Sequence, residues 1–150
     1  MQIDFYILGD NSHRDINQMV CQLCEKAIAQ DMNVLIYTKS IEQAHQLDEL
    51  LWTFKAGSFF AHKNELNEIK PDSTDSTFPY PIIISSDIKD ETIPASHQFL
   101  VNLSNESPAY FQHFKRIAEM VGKNPDNKEV ARKRYRLYRD KGYTLNKYAL

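Results

Sequence analysis

Three short apolar runs, "NVLIY" at 33–37, "PIIIS" at 81–85 and "QFLVNL" at 98–103, constrain the fold more than any other feature of the chain. Each is too short for a helix and lacks the alternating polar positions of a half-exposed strand. Such runs suit strands buried on both faces, as in a parallel sheet covered by helices on each side. The segments around them supply those helices. Ile16, Met19, Val20, Leu23, Cys24, Ala27 and Ile28 recur at three- and four-residue intervals and predict an amphipathic helix over Asp15 to Asp31. Ser40, with Gln43 three residues on, forms a capping-box pattern that opens a second helix lined by Ile41, Ala44, Leu47, Leu51 and Trp52.

Ahead of the first helix, Gln2 to Leu8 ("QIDFYIL") predicts a strand stopped by the turn-forming Gly9-Asp10-Asn11-Ser12. Ser58 to Ala61 ("SFFA") is a further strand candidate, and the polar stretch from His62 to Tyr80 predicts a loop. Phe111, Phe114, Ile117, Ala118 and Val121 predict a third helix over Ala109 to Val121, ended by Gly122 and Pro125 before a last, basic helix. Strands alternating with helices define an α/β class: a doubly wound, mostly parallel sheet with helices on both faces. At 150 residues this is one domain, 1–150.

A sheet of this kind invites a phosphate site at the carboxyl ends of its strands. The four glycines, Gly9, Gly57, Gly122 and Gly142, form neither G-x-G-x-x-G nor G-x-x-x-x-G-K-[ST]. No catalytic residue is assigned: there is no G-x-S-x-G elbow, and the adjacent Asp48 and Glu49 point to different helix faces. The five histidines lack metal-ligand spacing. Cys21 and Cys24 have C-x-x-C spacing but sit inside a helical pattern, with a turn of helix ahead of them and no second cysteine pair. They are expected to be core thiols of a reducing cytoplasm. The chain's beginning lacks the pattern of a secretory signal, and no apolar run approaches the ~20 residues that cross a bilayer. The expectation is a cytoplasmic binding module with no metal and no cofactor.

Charge is concentrated near the end. Lys128 to Lys141 holds seven Lys/Arg against Glu129 and Asp140, a net +5 in a chain whose total is −2, so the remainder sums to −7. On a helix at about 100° per residue, Val130, Ala131, Leu137 and Tyr138 share the side expected to be buried. Lys128, Arg132, Arg136 and Arg139 fall together on another side, with Tyr135 at the border. Like charges at i, i+4 oppose a helix by a few tenths of a kcal/mol per pair, which an anion would offset. An ordinary solvated basic face has the same pattern. Two ligand classes fit a binding face: a single-stranded nucleic acid, with phosphates on the cations and bases on Tyr135 or Tyr143, or an acidic peptide with a hydrophobic anchor. The −7 elsewhere disfavours a long polyanion. A second candidate interface is aromatic: Trp52, Phe54, Phe59 and Phe60 crowd the exit of the second helix.

Read in order, "FYIL", "LDELLW" at Leu47 to Trp52, Ser58-Phe59 with His62, Pro81-Ile82, "LVNL" at Leu100 to Leu103, and the closing set Ala131-Arg132, Arg134-Tyr135, Tyr138-Arg139, Gly142-Tyr143 and Leu145-Asn146 resemble one family. This is the chi subunit of the bacterial DNA polymerase III holoenzyme, and the similarity spans essentially the whole chain. The resemblance implies a Rossmann-like fold without nucleotide binding and an adaptor role without catalysis. It implies that the acidic, Phe-terminated C-terminal tail of single-stranded DNA-binding protein is held at Val121, Lys128, Arg132, Tyr135 and Arg136, closed by Gly142 and Leu145. It also implies a psi-subunit surface at Trp52, Phe59 and Phe60, open to a helicase-like alternative partner, with psi linking the chain to the clamp loader. Nucleic acid is then contacted only indirectly. The chain departs from the family at Ala61, where members often carry proline. The alternative is a direct single-stranded nucleic-acid binder or a nucleotide-dependent enzyme of the same fold.

Overall fold

A computed structural model describes residues 2–9, 15–53, 62–64, 82–86, 97–104 and 113–149, with the side chains of 52, 53 and 62–64 outside that description. Seven strands, β1 (Gln2–Ile7), β2 (Val34–Tyr37), β3 (His62–Asn64), β4 (Ile82–Ser85), β5 (Phe99–Asn102), β6 (Arg116–Val121) and β7 (Thr144–Ala149), form one sheet in the order β3-β4-β2-β5-β6-β1-β7. Every strand pair is parallel. The three apolar runs are β2, β4 and β5 at the middle of the sheet, buried throughout except for half-buried Tyr37.

Alternate residues of the strands divide between two cores. Ile36, Ile84, Val101 and Met120 pack with α1 (Ile16–Ala29) and α2 (Ile41–Thr53), whereas Leu35, Ile83, Leu100 and Val121 belong to the core that includes Ala131 and Tyr138 of α3 (Pro125–Asp140). From β1 the chain winds through α1 to β2 in one direction. From β6 it winds through α3, on the opposite face, past β1 to β7 at the other edge. This is the doubly wound arrangement expected from the alternation of elements.

Local chemistry fixes the helix starts. Asp15 caps α1 by accepting hydrogen bonds from the Asn17 and Gln18 N–H groups at 2.7 and 3.4 Å. Ser40 Oγ accepts from Gln43 N–H at 3.2 Å while Gln43 Oε1 accepts from Lys39 N–H at 3.1 Å, a reciprocal pair of the kind its spacing predicts. Cys21 and Cys24 are free and buried in the α1 core. Burial and the nearby Asp15 charge push the Cys21 thiol up to about 12, and burial pushes Cys24 up too.

Four expectations need correction. The helix read over Ala109 to Val121 is, within the described residues, strand β6: a strand buried on both faces has no two-residue period, and its apolar positions happened to match helical spacing. His62–Asn64, read as the start of a loop, is β3, where pairing with β4 outweighs polar composition. Ile41, placed on the inner face of α2, is 57% exposed in the first turn. Leu137, placed on the buried side of α3, is 40% exposed, while Arg134 is buried in its stead. The strand read at Ser58 to Ala61 and most of the loop to Tyr80 lie outside the described residues.

The edge strand β7 is tied to the sheet by a buried carboxylate. Asp4 accepts from Arg116 Nη2 and Nε at 3.0 and 3.2 Å, from Asn146 Nδ2 at 2.9 Å and from Gln2 Nε2 at 3.1 Å, so one side chain joins β6, β1 and β7. Beside it the rings of Tyr6 and Tyr148 stack at 5.1 Å.

Candidate functional site

α3 begins and ends where its sequence dictates. Asn124 caps it through a 2.9 Å bond from Asp126 N–H, and Pro125 occupies the first turn, where a missing N–H costs nothing. At the other end Gly142 adopts φ +83°. Its N–H reaches the Arg139 carbonyl at 2.9 Å and Tyr143 N–H reaches the Tyr138 carbonyl at 3.2 Å, a double bond pattern that needs a left-handed residue after the cap. The chain then enters β7 beside β1, bringing Lys147 opposite Phe5 and Leu145 opposite Ile3.

A buried ion pair sets how α3 sits on the sheet. Glu119, at the centre of β6 and fully buried, faces Arg134 at 3.1 Å and accepts from Tyr138 Oη at 2.8 Å and from Asn102 Nδ2 at 3.1 and 3.2 Å. Arg134 also donates to the Ser104 carbonyl at 3.1 Å, and Asn102 Oδ1 accepts from Ser104 N–H and Oγ at 3.0 and 2.6 Å. Burial pushes the Glu119 carboxyl up, and the Arg134 charge with the Tyr138 and Asn102 donors opposes that. Ala131 and Tyr138 pack on the same side. With this face turned inward, Arg132, Arg136 and Arg139 are turned out.

Along that flank lies a groove of about 400 Å³. Its apolar lining is Phe5, Ile7, Val121 and Ala131, and its polar lining is Lys128, Arg132, Arg136, Arg139 and Lys147, with Tyr135 between the two sets. The Tyr135 ring stands edge-on to Phe5 at 5.3 Å, and Lys147 Nζ lies 4.3 Å above its centroid. Five cations beside an apolar floor have the chemistry that suits a ligand anionic and hydrophobic at once.

Five of the residues singled out for a peptide site, Val121, Lys128, Arg132, Tyr135 and Arg136, come together around this groove. Gly142 and Leu145 do not line it: Gly142 stops the helix, and Leu145 is half-buried against the α3-side core. Arg139 and Lys147 line it too, although the residue set implied by the family resemblance contains neither. Arg139 was legible, as the fourth member of the helical stripe. Lys147 was hidden because β7 was not foreseen. Trp52 lies in the last turn of α2 with its side chain outside the description, and Phe59 and Phe60 lie outside the described residues altogether.

A larger crevice of about 650 Å³ opens at the carboxyl ends of the strands, where a doubly wound sheet usually holds ligands. Lys39 and Lys123 there are balanced by Asp15 and Glu42, and the neighbouring helix starts are already capped by Asp15 and Ser40. Among the described residues it shows no surplus of cationic side chains for an anion.

Fold and site together define a class: a doubly wound α/β domain carrying a cationic groove on the flank of its last helix. Within that class, residues 1–146 match the family model described as DNA polymerase III chi subunit, HolC. The chain belongs to this family. It is 31% identical over 150 residues to the DNA polymerase III subunit chi of Pseudomonas aeruginosa, covering 99% of this chain and 96% of that one. It is 30% identical to the subunit chi of Haemophilus influenzae, covering 95% and 92%, and 28% identical to that of Escherichia coli, covering 95% and 93%.

No helix among the described residues is long and apolar enough to cross a membrane.

Proposed function

We propose that this chain is a non-catalytic adaptor subunit of a bacterial replicase, working in the cytoplasm. Its α3 groove captures the acidic, Phe-terminated C-terminal tail of single-stranded DNA-binding protein, and its Trp52, Phe59 and Phe60 surface binds psi, coupling the clamp loader to coated single-stranded DNA. Family membership supports the replication role. The observation that carries the tail assignment is the junction of opposite chemistries in one groove: Arg132 and Lys128 for a carboxylate, and Phe5, Val121 and the Tyr135 ring for a phenyl side chain. A guanidinium can hold a terminal carboxylate through two parallel hydrogen bonds, and the apolar floor beside it gives the ring somewhere dry to lie.

A labelled acidic peptide ending in Phe, titrated as the free acid and as the amide, tests this. Arg132→Ala should cost the free acid roughly 2 to 4 kcal/mol, on the order of 30- to 1000-fold in affinity, and the amide much less. Equal losses for both peptides indicate general charge attraction. Unchanged affinity in Arg132→Ala removes the groove as the site, and tight binding of single-stranded DNA in the absence of other proteins supports the direct-binder reading in its place.

A further inference from the structure

We propose that the outer edge of β7 receives the stretch of the acidic tail upstream of its anchored end as an added strand, parallel to β7; the inference rests on tail capture in the α3 groove. β7 is the last strand in the sheet order, and among the described residues it pairs with β1 alone. An edge strand turns alternate N–H and C=O groups outward, ready to pair with an extended chain. Natural edges are blunted by proline, by bulges or by charges aimed across the edge. Thr144–Ala149 contains no proline, and its register with β1 runs unbroken for six pairs. Its one charge, Lys147, is folded over the Tyr135 ring at 4.3 Å.

The groove and the edge are neighbours along one line. Lys147 belongs to both, and α3 leads directly back to the start of β7. The row from Lys128 to Arg139 spans about 16 Å at 1.5 Å per residue, and the six residues of β7 span about 20 Å at 3.3 Å per residue. An extended peptide of five or six residues therefore fits beside both. Its direction follows from the charges. Ile7 and Val121 lie at the carboxyl ends of their strands, next to Lys128 in the first turn of α3, where the helix dipole favours a carboxylate. With the tail's carboxyl end there, the upstream residues run back toward Thr144, and the peptide runs parallel to β7. Every second side chain of such a strand then faces α3, so acidic residues at alternate positions meet Arg136 and Arg139.

The test compares a four-residue peptide ending in Phe, a ten-residue acidic peptide with the same end, and two versions of the longer one carrying N-methyl groups on alternate upstream amides in opposite phase. N-methylation leaves charge intact and blocks strand pairing only where the amide faces β7. The expected result is that the ten-residue peptide binds on the order of tenfold tighter than the short one, that only one methylated phase loses this gain, and that hydrogen exchange at residues 144–149 slows with the long peptide and not with the short. If both methylated phases bind like the parent and β7 exchange is unchanged, the added strand is refuted, while Arg132-dependent binding of the short peptide leaves tail capture standing. If the short peptide fails to bind as well, tail capture falls and the added strand falls with it.

Discussion

Arg134 is a buried cation on an otherwise solvated basic helix, and removing it tests what orients the groove. Arg134→Met keeps a similar apolar stem but strips Glu119 of its ion-pair partner at 3.1 Å and the Ser104 carbonyl of its donor at 3.1 Å. Removing one member of a buried pair costs about 3 to 5 kcal/mol. The low end applies here, because Tyr138 and Asn102 still donate to Glu119 and because a carboxyl already pushed up by burial can take a proton. Glu119→Ala should cost more, toward about 5 kcal/mol, since it strands a guanidinium that cannot lose its charge. For a chain of this size about 3 kcal/mol lowers Tm by roughly 6 to 12 °C. The sign of the pH dependence is fixed by the upward shift at Glu119. A carboxyl whose folded pKa lies above its unfolded value contributes stability at low pH and loses it as pH rises through the folded pKa. The Arg134→Met penalty should therefore be smallest in acid and grow as pH rises above the ordinary carboxylate range through the raised folded pKa. Urea unfolding of both single variants and of Glu119→Ala/Arg134→Met measures the coupling: the double variant should lose clearly less than the two single losses added, while staying below the parent because Tyr138 Oη and Asn102 Nδ2 no longer have Glu119 as acceptor. Single-variant losses under about 1 kcal/mol, or strictly additive ones, refute the reasoning.

Arg132→Lys should restore part of the affinity lost in Arg132→Ala, because it keeps charge without the planar fork, and neither variant should shift the urea midpoint appreciably since the side chain is exposed. Phe59→Ala should weaken association with psi by about 2 kcal/mol or more while sparing binding of the acidic peptide in the same titration; loss of both activities, or unfolding seen by circular dichroism, makes Phe59 a core residue. The thiol of Cys21, ordinarily near 9.0 and pushed up to about 12 in the fold, holds its proton more tightly when folded, so its contribution is complete below pH 9.0 and is lost as pH rises toward 12. Urea midpoints should fall over that range less in Cys21→Ala than in the parent, and a thiol reagent at about pH 8 should label the native chain far more slowly than the unfolded one.

The centre of the sheet was legible in the sequence because its strands are uniformly apolar and its first two helices amphipathic, so period and length gave the same answer. β6 was not, because "RIAEMV" places Arg116 and Glu119 three residues apart in an apolar run, which mimics the polar face of a helix. In the fold those two side chains point to opposite sides of the sheet, Arg116 to Asp4 and Glu119 to Arg134. β7 was missed for a related reason. "TLNKYA" has little apolar content because it is an edge, and its place is held by Asn146 bonding to Asp4, a contact visible only once β1 lies beside it.

The wheel of α3 failed at one residue in a way that matters for the groove. Hydrophobicity alone aims the helix by Val130, Ala131, Leu137 and Tyr138, whereas the fold aims it by Ala131, Arg134 and Tyr138 and leaves Leu137 at the surface. Leu137 and Arg134 lie about 60° apart on a wheel of 100° per residue, so the difference is a rotation of the whole helix. That rotation follows from Glu119, the one buried acid of β6, which an apolar α3 face would leave unpaired at a cost of several kcal/mol. The cations of α3 are thus divided between two settings. Arg134 satisfies a carboxylate inside the domain, and by doing so it turns Arg132, Arg136 and Arg139 outward, where the tail carboxylates of the proposed function would meet them.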